Sequence, residues 1–152
     1  MREILFRGKL AKSGKWSEGN LVVNKRGICI ITPDETPLGT YGQVIPETVG
    51  QYTGLTDKYG KKIFVGDIIE VCNDYAAVKK AVAVVKFGEF TPKFFYKIFE
   101  LYYDRELKDK LHGLYLESNK GEEMFFCSTT TFIRVIGNIH DNPELLRGEQ
   151  ND

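Results

Sequence analysis

Short runs of apolar and β-branched residues, separated by turn-forming residues, make up most of the chain. The clearest runs are 20-NLVV-23, 28-ICIIT-32, 68-IIEV-71, 81-AVAVVKF-87 and 132-FIRVIGNI-139, and each has the length and composition of a β-strand. Gly, Asn, Asp and Pro lie between these runs, where their backbone preferences favour turns. The pattern therefore predicts an all-β or β-dominated fold.

Three segments depart from this pattern. The segment 104-DRELKDKLHG-113 begins with a capping Asp and ends with a Gly, so it predicts one short helix near 104–112. The aromatic run 93-KFFYKIFELYY-103 fits a strand or a helix equally well. Residues 33–47 carry three prolines and two glycines, which predicts a long surface loop or a connection between subdomains.

The length of 152 residues indicates a single compact domain over 1–152. Within it, residues 1–45 are a candidate N-terminal β-unit, residues 46–146 a candidate small barrel, and residues 147–152 a frayed tail. The stretches 14-GKWSEGNLV-22 and 60-GKKIFVGDII-69 share the order of their Gly, Lys and apolar positions. This similarity indicates two related small β-subdomains.

The charge is balanced overall but unevenly distributed. Equal numbers of basic and acidic residues, 21 of each, weigh against non-specific nucleic-acid binding, which depends on an excess of positive charge. Residues 1–26, however, carry a net charge of +5, and residues 140–152 carry −3. These ends are either two solvated surfaces or, for the basic end, a contact surface for an acidic partner.

The three cysteines, Cys29, Cys72 and Cys127, lie far apart in the sequence. Their spacing fits neither a disulfide framework nor a zinc site, so buried thiols in a reducing compartment are expected. The N-terminus has no secretory signal, and no apolar stretch approaches the ~18 residues of a membrane span. We therefore expect a cytoplasmic protein with no membrane partner, no metal and no cofactor.

The stretch 53-TGLTDKYGKKIFVGDIIEV-71 contains the strongest candidates for chemistry, Asp57 and Asp67. Brought together by a hairpin, two carboxylates could perform acid–base catalysis or bind a metal. No histidine lies within forty residues of them, although catalysis usually needs further groups nearby. We favour the alternative that Asp57, Gly60, Gly66 and Asp67 are structural turn residues. No catalytic residue is then assigned.

The aromatic run provides a second candidate surface. Bases stack on aromatic rings while neighbouring lysines hold phosphates, and the same rings can instead fill a core or an oligomer interface. The interface or core interpretation is favoured because acidic residues dilute the positive charge. The candidate nucleic-acid or partner contacts are Lys93, Phe95, Tyr96, Lys97, Tyr102 and Tyr103.

Three blocks of the sequence resemble the signature blocks of the YopX protein family. They are 2-REILFRGK-9 with 14-GKWSEGNL-21, then 46-PETVGQYTGLTDKYGKKIFVGDII-69, and finally 135-VIGNIHDNPELL-146. Residues 90–112 have no such match. The resemblance implies a β-rich bacterial protein encoded by phage or prophage, with a small-barrel core similar to SH3 folds. It implies no catalytic residues.

Three functional classes fit these observations. The first is a non-enzymatic protein-interaction module that binds itself as a homo-oligomer, or binds a phage or host protein. The alternative is a nucleic-acid-binding regulatory protein, which the balanced charge does not favour. The third is an enzyme without a recognised motif, since the sequence lacks GxSxG, P-loop and GxGxxG patterns and its histidines, His112 and His140, are isolated.

Overall fold

The computed structural model describes residues 3–27, 29–32, 42–72, 78–87, 94–103, 123–125 and 133–146. These residues form eleven β-strands and two short 3-10 helices, which confirms the predicted β-dominated fold. The predicted helix at 104–112 lies outside the described residues. The described segments include no helix long and apolar enough to cross a membrane.

The chain divides into two compact units, of which the first is Met1–Gly54. Its strands are β1 (Phe6–Lys9), β2 (Trp16–Val23), β3 (Cys29–Thr32), β4 (Gly42–Gln43) and most of β5 (Gly50–Thr56), with a 3-10 helix at Pro46–Thr48 before β5. These antiparallel strands stand in the order β4-β3-β2-β1-β5. Among its described residues, the buried hydrophobic side chains are Leu5, Ile31, Val44 and Tyr52.

The second unit is Leu55–Asp152. It contains the last two residues of β5 and the strands β6 (Lys62–Phe64), β7 (Asp67–Cys72), β8 (Val78–Phe87), β9 (Phe94–Tyr103), β10 (Glu123–Phe125) and β11 (Ile133–Asn138). Strands β7 to β11 form an antiparallel sheet with the order β10-β9-β8-β7-β11. A 3-10 helix, Pro143–Leu146, follows the last strand.

The five-stranded sheet buries apolar side chains on both faces. Adjacent residues of a strand point to opposite faces, so Ile68 and Ile69 belong to different clusters. One cluster gathers Ile63, Ile69, Ala83, Val85, Ile133 and Val135. The other gathers Ile68, Val82 and Val84, and residues of the C-terminal 3-10 helix pack against it. Burial on both faces explains why the sequences of β7 and β8 are almost continuously apolar.

The described strands pair in open orders, and no closed barrel occurs among them. In the first unit, a single bridge joins Leu10, just after β1, to Val44, just after β4. One bridge does not make a barrel, so the SH3-like core stays a prediction. The single domain over 1–152 and the subdomain boundary near residue 45 also stay predictions.

The structure shows the conformation of two segments, and the burial of one cysteine, that the sequence alone did not determine. The run 93–103 contains a strand rather than a helix, because β9 pairs with β8 along nearly its whole length and with β10. The Pro- and Gly-rich stretch 33–47 includes the two-residue strand β4. Cys29 is a free thiol that is half-buried, not fully buried as expected.

Candidate functional site

Asp57 organises the loop between β5 and β6 through its carboxylate. Its Oδ1 accepts hydrogen bonds from the backbone N–H groups of Tyr59 and Lys61, both at 2.9 Å. The backbone N–H of Gly60 donates to the carbonyl of Asp57 at 3.0 Å, and Gly60 takes a φ of +80°. Only glycine adopts that conformation at little cost, so Asp57 and Gly60 together define a tight turn.

The same carboxylate reaches the free edge of the five-stranded sheet. Its Oδ2 accepts a hydrogen bond from the buried backbone N–H of Val135, in the edge strand β11, at 3.0 Å. Beside it, the backbone N–H of Lys58 donates to the carbonyl of Ile133 at 2.9 Å. Unpaired backbone groups on an edge strand are a template for unwanted strand pairing. The Asp57 loop therefore occupies part of an edge that would otherwise be open.

Asp57 is held in its ionised form despite being buried. Burial by itself raises the pKa of a carboxylate, because water is removed from the charge. The hydrogen bonds from the backbone of Val135, Lys61 and Tyr59, with a smaller contribution from the Lys61 charge, more than offset this effect. The pKa of Asp57 consequently lies below its ordinary value, and the carboxylate is a charged acceptor at neutral pH.

This lowered pKa predicts a stability loss in acid. The contribution of Asp57 is fully present above its ordinary pKa of 3.8 in the unfolded chain, and is lost as the pH falls through the lower folded value. We expect the difference in unfolding free energy between wild type and Asp57→Asn to shrink below about pH 4. Denaturant titrations across the acid range measure this, and a difference that stays constant would contradict it.

Asp67 fixes the turn that leads from β6 into β7. Its side chain is among the most buried in the described part of the chain, and its Oδ2 accepts a hydrogen bond from the backbone N–H of Phe64 at 2.8 Å. Gly66 precedes it with a φ of +90°. The N–H of Gly66 donates to the carbonyl of Val85, and its own carbonyl accepts from Ile139, both at 2.9 Å. The turn is thus bonded to β8 and to the residue that directly follows β11.

The partners described for the two aspartates are different. Asp57 accepts from the backbone of its own loop and of β11, whereas Asp67 accepts from the amide of Phe64. In the residues that the structure covers, no group of three or more His, Cys, Asp or Glu side chains is arranged to hold a metal ion. The arrangement shows carboxylates serving backbone donors within turns.

A third acidic side chain, Glu70, escaped the sequence analysis. It lies buried in β7, directly opposite Arg134 of β11, and its carboxylate is 3.2 Å from the guanidinium. The Arg134 side chain is 44% exposed, so solvent screens this pair and it adds at most about 1 kcal/mol to stability. An acid between two apolar positions of a strand could have been noticed in 68-IIEV-71.

The loop after β11 is built by two asparagines that sequence reasoning also missed. Asn138 Oδ1 accepts from the backbone N–H groups of His140 and Asp141, both at 3.0 Å. Asn142 Oδ1 accepts from the backbone N–H of Asn138 at 3.3 Å, and a Cβ on Gly137 would stand 2.6 Å from the same oxygen. The dense cluster of turn residues in 137-GNIHDNP-143 was the available signal.

The aromatic candidates are placed only in part. The structure puts Phe95, Tyr96, Lys97, Tyr102 and Tyr103 in β9, an interior strand between β8 and β10. Lys93 lies outside the described residues. One edge of β9 pairs with β8 along nearly the whole strand, and β10 pairs with the other edge at Phe95, Tyr96 and Lys97. The proposed contact role of these six residues stays a prediction.

Comparison with known proteins places the chain in one family. The profile of the YopX protein family matches residues 6–147, nearly the whole sequence. The crystal structure of protein EF1440 from Enterococcus faecalis is similar with a TM-score of 0.50, at 24% identity over 96% of this chain and 99% of that one. At this identity the likeness concerns the fold alone. No curated protein is a significant match. From the extent of the profile match, this chain belongs to the YopX protein family.

Proposed function

We propose that this protein is a non-enzymatic protein-interaction module, a phage or prophage accessory protein acting in the bacterial cytoplasm. The observation that carries the proposal is that Asp57, the best candidate for a catalytic carboxylate, serves as a hydrogen-bond acceptor within the fold. Both of its oxygens accept hydrogen bonds from backbone amides within the fold. A carboxylate committed to several structural donors is poorly suited to exchanging protons with a substrate.

Small-barrel character, similar to SH3 folds, is part of the same proposal. Its support lies in the first unit, outside the 46–146 segment predicted to form the barrel, and consists of the bridge between Leu10 and Val44. Two further backbone bonds surround it, from Ala11 N to Gln43 O at 2.9 Å and from Ile45 N to Lys9 O at 2.8 Å. These contacts bring the ends of β1 and β4 together, as closure of a small barrel requires.

Capture from infected bacterial cells tests the proposed function. The immobilised protein should retain a discrete phage or host protein, and nuclease treatment of the lysate should leave that protein bound. Self-association is tested separately by sedimentation over a range of concentrations, where the expected homo-oligomer should appear. Retention that is abolished by nuclease would instead favour a nucleic-acid partner, and turnover of a substrate would overturn the non-enzymatic assignment.

Nucleic-acid binding is the second candidate, favoured by a basic and aromatic cluster in the first unit. The guanidinium of Arg7 lies 4.7 Å and the ammonium of Lys9 5.7 Å from the ring centre of Trp16. Arg7 is buried, so part of this charge is used in packing against the ring. For this reason the candidate ranks second. Titration with single- and double-stranded DNA should show affinity that falls steeply with salt if it is correct.

A further inference from the structure

Tyr59 stands out as an exposed aromatic side chain at the tip of the Asp57 loop. It is 72% exposed, the largest value among the exposed large hydrophobic side chains of the described residues. Tyr59 is hydrogen-bonded to the rest of the loop through its backbone N–H, which donates to Asp57 Oδ1. The ring therefore contributes little to folding, while it exposes a large apolar surface to water.

Hydrogen bonds tie the loop that presents Tyr59 to the rest of its unit. On one side, Asp57 accepts from Tyr59, Lys61 and Val135, and on the other the backbone of Lys58 bonds to Ile133. Ordering a flexible loop at an interface costs free energy, and a loop already fixed in the free protein avoids that cost. Tyrosine is also among the residues most enriched at the energetic centres of protein interfaces.

The surroundings of the ring are positively charged. Lys58 and Lys61 are exposed, Lys62 is half-buried, and the Lys58 ammonium lies 5.1 Å from the centre of the Tyr59 ring. The neighbouring acid, Asp57, is buried and directed towards backbone amides. The loop thus offers an aromatic centre with a basic rim, a charge pattern complementary to an acidic surface.

We propose that the loop 57–62 is an interaction surface that binds an acidic linear segment of a protein partner, in which Tyr59 packs against an apolar side chain of the segment while the lysines contact the carboxylates that flank it. This inference rests on the proposed function and names the site and the chemistry of its partner. A protein fits better than a nucleic acid. Single-strand binding sites line up several stacking rings along a basic groove, whereas here one ring projects from a loop tip.

The test uses a displayed library of random linear peptides, selected for binding to the full-length chain. Selected peptides should be acidic around an aromatic or aliphatic centre, and their affinity should fall as salt is raised. Tyr59→Ala should weaken binding by about 30-fold, as loss of an interface hot spot does. Lys61→Gln should weaken it by about 3-fold, and Tyr59→Phe should retain most of it.

A matched control separates binding from folding. Phe87 is another exposed aromatic of the same unit, 45% exposed and outside the loop, so Phe87→Ala should leave peptide affinity unchanged. Tyr59→Ala should melt like the wild type, because the backbone N–H that bonds to Asp57 is kept. A loss of binding without a change in melting temperature then assigns the effect to the ring.

The remaining outcomes overturn the proposal in distinguishable ways. Peptides that bind wild type and Tyr59→Ala equally would reject this surface but leave the protein-interaction function standing. Failure to select any peptide, together with Tyr59-dependent binding of an oligo-dT strand, would reject both in favour of a nucleic-acid partner. Failure of both probes to bind would also overturn the proposed surface.

Discussion

Replacing Asp57 with alanine is expected to lower the free energy of unfolding by about 2–4 kcal/mol. The change removes both acceptor oxygens from three backbone N–H groups. Tyr59 and Lys61 are exposed, so water can replace their lost bonds, but the N–H of Val135 is buried and loses its partner. For a chain of this size the melting temperature should fall by roughly 5–15 °C, measurable by calorimetry.

Two companion variants test whether this loss comes from the carboxylate. Lys58→Ala changes the next residue, whose bond to Ile133 is made by the backbone, so its stability should stay within about 0.5 kcal/mol of wild type. Asp57→Asn keeps one acceptor oxygen and should cost less than Asp57→Ala. If Asp57→Ala unfolded at the wild-type temperature, the structural role assigned to Asp57 would be wrong.

Asp67→Ala is expected to be the second severe change, costing about 2–3 kcal/mol. Only 1% of Asp67 is exposed, and the variant removes the side-chain acceptor of the buried N–H of Phe64 at the end of β6. A small void also replaces the carboxylate among packed strands. Asp67→Ala should therefore lower stability before it lowers any binding activity. Thermal and denaturant unfolding measure the stability, and a binding assay on the same variant measures the activity.

The control for Asp67 is the nearly isosteric asparagine. In Asp67→Asn the side-chain oxygen can still accept from the N–H of Phe64, so most of the turn should survive. Asp67→Ala removes the acceptor oxygen, whereas Asp67→Asn keeps an acceptor in a side chain of nearly the same shape. A melting temperature of Asp67→Ala equal to that of the wild type would count against the assigned role.

Local hydrogen bonding explains which parts of the candidate site the sequence could predict. Asp57 and its acceptor role towards Tyr59 and Lys61 lie within four residues, so turn preferences alone identify them. The bond from Val135 spans 78 positions of sequence and depends on how β11 lies in the sheet. No local pattern contains that information, and the protection of the sheet edge was therefore not predicted.

The strands show the same division between local and distant information. Alternation and β-branched residues identify β7, β8 and β11, because buried strands are rich in apolar and β-branched residues. The run 93–103 was ambiguous because its strand form depends on pairing with β8 and β10. β4 was missed because two residues, Gly42 and Gln43, become a strand only by bonding to β3.

The central claim is that Asp57 ties its loop to the edge of β11 and so serves the fold rather than a reaction. Amide hydrogen exchange at Val135 in wild type and Asp57→Asn tests it most directly. The amides of Tyr59 and Lys61 together favour the single oxygen of the asparagine, so its NH2 group should face Val135. We expect Val135 to exchange about tenfold faster or more in the variant, beyond any change at Ile69 in the neighbouring strand β7. Equal changes at Val135 and Ile69, or no change at either, would contradict the claim.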